Sequence, residues 1–227
     1  MATISQAQLN FSGTSSAGTS ETVTLGSGIT AGNLLTVVVA YAANATVTIT
    51  PPSGSWAQDA IIQSTVYATG AIFRLNVGSA QAGQTSWAFT YSGTAHNGVL
   101  IAAEWHSTTG WLASPLDKTA STNGSGTALA SGTTATTTQA QELWLAGYGI
   151  ANDTAQFNTL SSGWSSSAPL LTGSATSTVN RGFMAWQFAT AKAAASATVT
   201  STTSAAWDGV IATYKTGPGG LLMAGPP

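Results

Sequence analysis

The sequence predicts an all-β protein: an antiparallel β-sandwich, jelly-roll-like, built from two internally repeated halves. Three observations carry this. Short runs rich in Val, Thr, Ile and aromatic residues recur, parted by Gly, Ser, Asn and Pro. No long apolar stripe appears at helical spacing. The second half of the chain also matches the first at a nearly constant offset.

In chain order the first half offers the strand candidates "TISQAQLNF", "ETVTL", "NLLTVVVAY", "TVTIT", "AIIQSTVY", "GAIFRLNV", "TSWAFTY" and "GVLIAAEW". Each is short, and most are bounded by residues that favour turns. "GSAQAGQ" and "GSGTALASG" are glycine-rich and read as hairpin turns. "ATAKAAASATVT" around Lys192 carries helix-favouring alanines but ends in a β pattern, so it reads as a loop feeding a strand.

The match between halves runs through four landmarks. "AGNLLTVVVAY" aligns with "AQELWLAGYGI", placing Asn33 on Glu142 at an offset of 109 residues. Trp56 aligns with Trp164 at 108, each after a Gly/Ser-rich turn. "AIFRLNVGSAQAG" aligns with "GFMAWQFATAKAA" at 111, and "TAHNGVLIAAEW" with "AAWDGVIATYK", placing Gly98 on Gly209, also at 111. Each half therefore supplies about six to eight strands. They either interleave into one double-sheet sandwich or form a small sandwich each. The join "STTGWLASPLDKTASTNGSG" carries Trp111, Leu112 and Leu116, which a free linker would not. A single unit over residues 1–216 is expected, with a pseudo-repeat of about 1–115 and 116–216. Residues 217–227 form an extended Gly/Pro-rich tail.

Composition excludes several function classes. Charged residues make up only 5% of the chain, while 43% are hydrophobic. The net charge is −2, and five cations (Arg74, Lys118, Arg181, Lys192, Lys215) are too few and too scattered for a phosphate-binding patch, so nucleic acid is not expected as a partner. No apolar run is long enough for a membrane helix. "MATISQAQLNFSG" lacks the basic and apolar regions of a secretory signal, so synthesis in the cytoplasm is expected. With no cysteine there is no disulfide, thiol nucleophile or zinc-thiolate site. So few charges leave little repulsion between copies, a surface suited to dense assembly.

Candidate chemistry is sparse. "AHNGVLIAAEWH" holds both histidines, His96 and His106, with Glu104 between them. On a strand the two histidines stand about 33 Å apart and cannot share an ion. Glu104 and His106 would share a face, but two ligands do not make a usual zinc site. The matching stretch has Trp207, Asp208 and Lys215 where this one has His96, Asn97 and Glu104, so the segment reads as a strand rather than a site. The seven acids (Glu21, Asp59, Glu104, Asp117, Glu142, Asp153, Asp208) form no catalytic motif, and Asp117 in "SPLDK" reads as a turn acid paired with Lys118. Nucleophile-elbow, phosphate-loop and dinucleotide patterns are lacking. No catalytic, metal or cofactor-binding residue is assigned, and no cofactor is expected. Of the eight tryptophans, Trp56 and Trp164 hold matching positions. They are expected to cap the core of each half, with a sugar-stacking platform as the alternative. In the tail, Leu221, Leu222 and Met223 are consecutive and apolar among Gly and Pro, and they are expected to dock into a groove on an adjacent subunit.

The succession "AGNLLTVVVAY … SGSWAQ … AIFRLNVGSAQAGQTSWAFTYSG … GVLIAAEWHS … SPLDKTAS … ELWLAGYG … WDGVIATYKTG" resembles a group of β-sandwich proteins from tailed bacteriophages and bacterial genomes. The resemblance spans roughly Ala31 to Gly217. It departs at "AEWHS", where an acid followed by small residues or Tyr is expected. It implies a virion role: capsid decoration or cement, head fibre, or minor tail and receptor-binding part. Implied partners are copies of the chain itself and other virion proteins such as the major capsid protein. The expected function is a non-enzymatic decoration or cement subunit. A tail-associated or cell-surface module binding host glycans through Trp faces is the alternative, and a glycan hydrolase the remote third.

Overall fold

The computed structural model describes residues 2–13, 18–41, 46–63, 69–93, 97–152, 154–166 and 181–218. Among them there are fourteen strands and no helix. The first eight are β1 (Ile4–Gly13), β2 (Ser20–Thr24), β3 (Leu34–Tyr41), β4 (Ile49–Thr50), β5 (Trp56–Gln63), β6 (Thr69–Asn76), β7 (Ser86–Tyr91) and β8 (Gly98–Ser107). Their antiparallel pairing is nested: β1 with β8, β2 with β7, β3 with β6. This is a long ribbon rolled up on itself, the logic of a jelly roll. Two sheets result, β1-β8-β3-β6-β5 and β2-β7-β4.

The other six strands are β9 (Trp111–Thr136), β10 (Glu142–Ile150), β11 (Phe157–Leu160), β12 (Ser165–Ser166), β13 (Arg181–Ala189) and β14 (Ala194–Thr216). The order β14-β10-β13-β12, with β9 on the other side of β14, follows the order β1-β8-β3-β6-β5 of the first half. β9 and β14 are long because each is used twice. Thr119–Gly126 pair with Ala205–Ala212, and Ala128–Thr136 with Ala194–Thr200; the register slips between Thr200 and Ala205.

Burial records which layer each strand occupies. β2 and β7 alternate exposed and buried residues, as strands with one wet face do. β3 and β10 are buried at every position, which explains their apolar composition, broken only by Thr36 and Glu142. β14 does both: it alternates over its first part, then is almost wholly buried from Trp207 onward. It therefore starts in an outer layer and ends in an inner one.

Three apolar cores separate four layers. One lies between β2-β7-β4 and the outer face of the first sheet, around Val37, Phe73, Trp87 and Phe89. The middle core joins the two halves, with Leu34, Val38, Ile101 and Trp105 against Leu143, Leu145, Val210 and Tyr214. The third lies under the outer parts of β9 and β14, around Leu129, Ala197, Tyr148 and Phe183. Residues 4–107 thus build one pair of sheets and residues 111–216 another, stacked on a shared core. The inner sheets approach closely at glycine: a Cβ on Gly147 would lie 2.7 Å from Val38 Cγ1. Trp105 crosses the shared core fully buried, its Nε1–H donating to Thr36 Oγ1 at 2.8 Å.

Two expected turns are different in the structure. "GSGTALASG" (124–132) is no hairpin turn; it lies inside β9, because β14 supplies ladder partners on both sides of it. Its glycines take the bend between layers, with φ of 130° at Gly126 and 79° at Gly132. "GSAQAGQ" (78–84) joins β6 to β7, which lie in different sheets, so it is a cross-sheet link pinned by Gly83 N–H to the Ile29 carbonyl. The segment around Lys192 is a loop feeding β14, as its sequence indicates. The join between halves is the start of β9, with Trp111 and Leu116 packed on the shared core.

Candidate functional site

The side chains with chemical potential are carboxylates, and the fold turns them inward. β8 places Val99, Ile101, Ala103 and Trp105 in the shared core, and Leu100 and Ala102 in the first outer core. Glu104, on the latter face, is only 2% exposed. It accepts hydrogen bonds from Gln8 Nε2 (2.6 Å), the Thr30 N–H (2.7 Å) and Asn33 Nδ2 (2.7 Å). Both oxygens are engaged, so the carboxylate ties β1 and the loop before β3 to β8. His106 is exposed, with Nδ1 3.1 Å from Asn33 Oδ1. His96 lies outside the described residues. Among the described residues, no three His, Cys, Asp or Glu side chains gather as a metal cluster.

Glu21 of β2 points into the first outer core beside Gly98 and Tyr91. Burial raises its carboxyl to about 8, with a hydrogen bond from Ser12 opposing. A Cβ on Gly98 would meet Glu21 Oε2 at 2.7 Å and the Tyr91 hydroxyl at 3.1 Å, so the strand needs glycine there. Asp208 occupies the corresponding end of the other half, fully buried, with Oδ1 accepting from the Gly149 N–H at 3.0 Å. Burial pushes its carboxyl well above the usual range. Asp59 meets Arg74 Nε at 2.9 Å.

One pair has the electrostatics of an acid and its conjugate base. Burial raises Glu142 to about 7, helped by neighbouring Asp117. Burial also acts to raise Asp117, but hydrogen bonds from the Thr138 N–H and hydroxyl, with Glu142 and Lys118, hold it at about 2. Lys118 and Lys215 each stand 3.6 Å from Asp117 Oδ1, the local pairing with Lys118 that "SPLDK" indicates. Such a split suits proton transfer. Glu142 is 0% exposed and the Asp117 side chain 3%, so both carboxyls are turned away from the surface.

A groove of about 340 Å³ opens nearby, lined by Gln139, Ala140, Gln141, Thr190, Thr216, Gly217 and Pro218. It draws on three separate stretches of chain, and no sequence pattern announces it. Neither Glu142 nor Asp117 lines it.

Trp87, Trp105, Trp144, Trp186 and Trp207 are buried. Trp56 and Trp164 are half-buried at the edges of the two outer cores, against Phe89 (5.3 Å between ring centres) and Trp144 (6.5 Å). Trp111 is half-buried too, its Nε1–H donating to the Trp105 carbonyl. Leu221, Leu222 and Met223 lie outside the described residues.

The exterior is almost free of charge. All six described acids have buried side chains. Arg74, Lys118 and Lys215 sit in ion pairs, Arg181 is buried, and Lys192 is the one exposed charged residue among those described. No family model, no curated protein and no solved structure matches the chain.

Proposed function

We propose that the protein is a non-enzymatic structural subunit of a phage virion, a decoration or cement protein that stabilises the shell through subunit contacts. The observation that carries this is the exterior: hydroxyl-rich, with its carboxylates turned inward and one exposed charge among the described residues. Charged groups are depleted from the centres of protein interfaces, because stripping water from an unpaired ion is costly. This surface incurs little of that cost and offers little repulsion between neighbours. The sealed state of the Glu142–Asp117 pair supports a non-catalytic role, and the phage-like strand succession supports the virion setting. On this reading the subunit is made in the bacterial cytoplasm and ends in the particle, beside its own copies and the major capsid protein.

Imaging the native particle by electron cryomicroscopy tests this. Copies tiling the capsid shell are expected. Copies confined to a tail tip or fibre would favour the second reading, a glycan-binding module using the half-exposed faces of Trp56, Trp111 and Trp164. Absence from purified particles would reject the virion role.

A further inference from the structure

Asp117, Lys215 and Glu142 stand on three neighbouring strands, β9, β14 and β10, with the lysine strand in the middle. Lys215 and Glu142 are directly opposed in the antiparallel register, so their side chains share a face. Asp117 approaches from the other side of β14, its Oδ1 3.6 Å from Lys215 Nζ. Thr138 also engages this carboxylate: its N–H donates to Oδ2 at 2.5 Å and its hydroxyl to Oδ1 at 2.7 Å. Oε1 of Glu142 accepts from the Gln139 N–H at 3.3 Å, while Oε2 is buried with no hydrogen-bond partner among the described residues. An amine and a carboxyl held in contact can condense to an amide, losing water, when both are neutral and the surroundings are dry. Asp117 rests as a carboxylate, which an amine does not attack. The proton it lacks is on neighbouring Glu142, whose carboxyl burial raises to about 7. The surroundings also sort the two oxygens of Asp117. The Thr138 N–H is placed to hold charge developing on Oδ2, as an oxyanion donor does. Oδ1, between the lysine nitrogen and the Thr138 hydroxyl, is placed to leave.

We propose that Lys215 Nζ and Asp117 Cγ join in an intramolecular amide, with Glu142 relaying the protons. The step needs no outside reagent. Glu142 passes its proton to Asp117 and takes one from the Lys215 ammonium. The freed amine attacks Cγ and forms the N–C bond. A second amine proton then travels through Glu142 to Oδ1, the Cγ–Oδ1 bond breaks, and Oδ1 leaves as water. Glu142 ends protonated, as it began. Lys118 Nζ is also 3.6 Å from Oδ1, but Lys118 follows Asp117 directly, and a bond there would close only a small, strained ring. The Asp59–Arg74 pair offers no such step, because a guanidinium keeps its proton. A bond to Lys215 ties the last strand of the second half to its first, a cross-link that persists in the unfolded chain. This holds or fails independently of the virion assignment.

Intact mass spectrometry of the folded protein tests this without any substitution. The expected mass is one water below that of the sequence, and the peptide map is expected to join the segment holding Asp117 to the one holding Lys215. Lys215→Arg and Asp117→Ala should each restore the full mass, while Lys118→Arg keeps the loss. Glu142→Gln should slow the reaction by roughly a hundredfold or more, read as the fraction of chains at full mass against time after refolding. A wild-type chain at full sequence mass would overturn the proposal, as would a water loss that persists in Lys215→Arg. Unchanged kinetics in Glu142→Gln would overturn the relay.

Discussion

The two halves share a nested strand order but make their outer layers differently. In the first half the outer sheet is three separate strands, β2, β7 and β4, and its core is filled by large rings: Phe73 against Phe89 at 5.2 Å, and Tyr41 against Tyr91 at 5.0 Å. In the second, β9 and β14 run on through both layers, and the core between them is rich in alanine: Ala146, Ala185, Ala195 and Ala197. Aromatic rings occur in both outer cores, but the places between them are taken by Val, Leu and Ile in the first and largely by alanine in the second. Gly98 and Gly209 register the same contrast. Each is opposite a tyrosine of a central strand, Tyr41 and Tyr148. A Cβ on Gly98 would press on the ends of side chains, whereas one on Gly209 would run into the Ala130 backbone carbonyl.

The largest expected effect tests that difference. Gly209→Ala should cost ~4 kcal/mol or more, since backbone must move, while Gly98→Ala should cost ~1–3 kcal/mol. Urea midpoints of the two variants would measure this, and equal shifts would break the contrast. Next comes pH. Glu21 titrates near 8 in the fold and Glu142 near 7, both above their ordinary 4.5. From about 4.5 up to those values the folded chain holds protons that the unfolded chain has lost. Stability therefore falls as pH rises through that window and levels off above it, by up to ~4 kcal/mol for Glu21. In melting curves, Glu21→Gln should flatten the decline as far as pH 8, and Glu142→Gln only as far as pH 7. Leu145→Ala, in the shared core, should cost about 3 kcal/mol and lower a single transition for both halves. Two separate transitions by calorimetry would show that the stacked sandwiches unfold independently. The smallest effect is expected at Glu104→Gln, about 1–2 kcal/mol by denaturant titration. One acceptor oxygen is kept, but the other becomes an amide nitrogen that faces a donor.

Local pattern made much of the fold legible. "LLTVVVAY" is apolar throughout because β3 has a core on each face, and "SETVT" alternates because β2 has only one. The Gly-Val pairs at 98–99 and 209–210 marked strands that enter the shared core. What could not be read depends on partners far along the chain. The sequence places Glu104 on one strand face with His106 but hides its three donors, which lie 71 to 96 residues away. "GSGTALASG" looked like a turn because its ladder partner, Ala194–Ala206, is distant in sequence. The groove is invisible for the same reason. The tryptophans at 56 and 164 were easier: each follows a Gly/Ser turn that delivers it to the edge of a core.

The inward carboxylates also change how the molecule behaves in an electric field. By sequence the chain carries −2 at pH 7 and an isoelectric point near 5.4. Burial raises Glu21 to about 8 and pushes Asp208 well above its usual range, so at pH 7 the native molecule carries less negative charge than its sequence indicates. On a native gel at pH 7 it should run toward the anode more slowly, for its size, than the unfolded chain does in urea. Folding thus switches off part of the charge that the sequence displays.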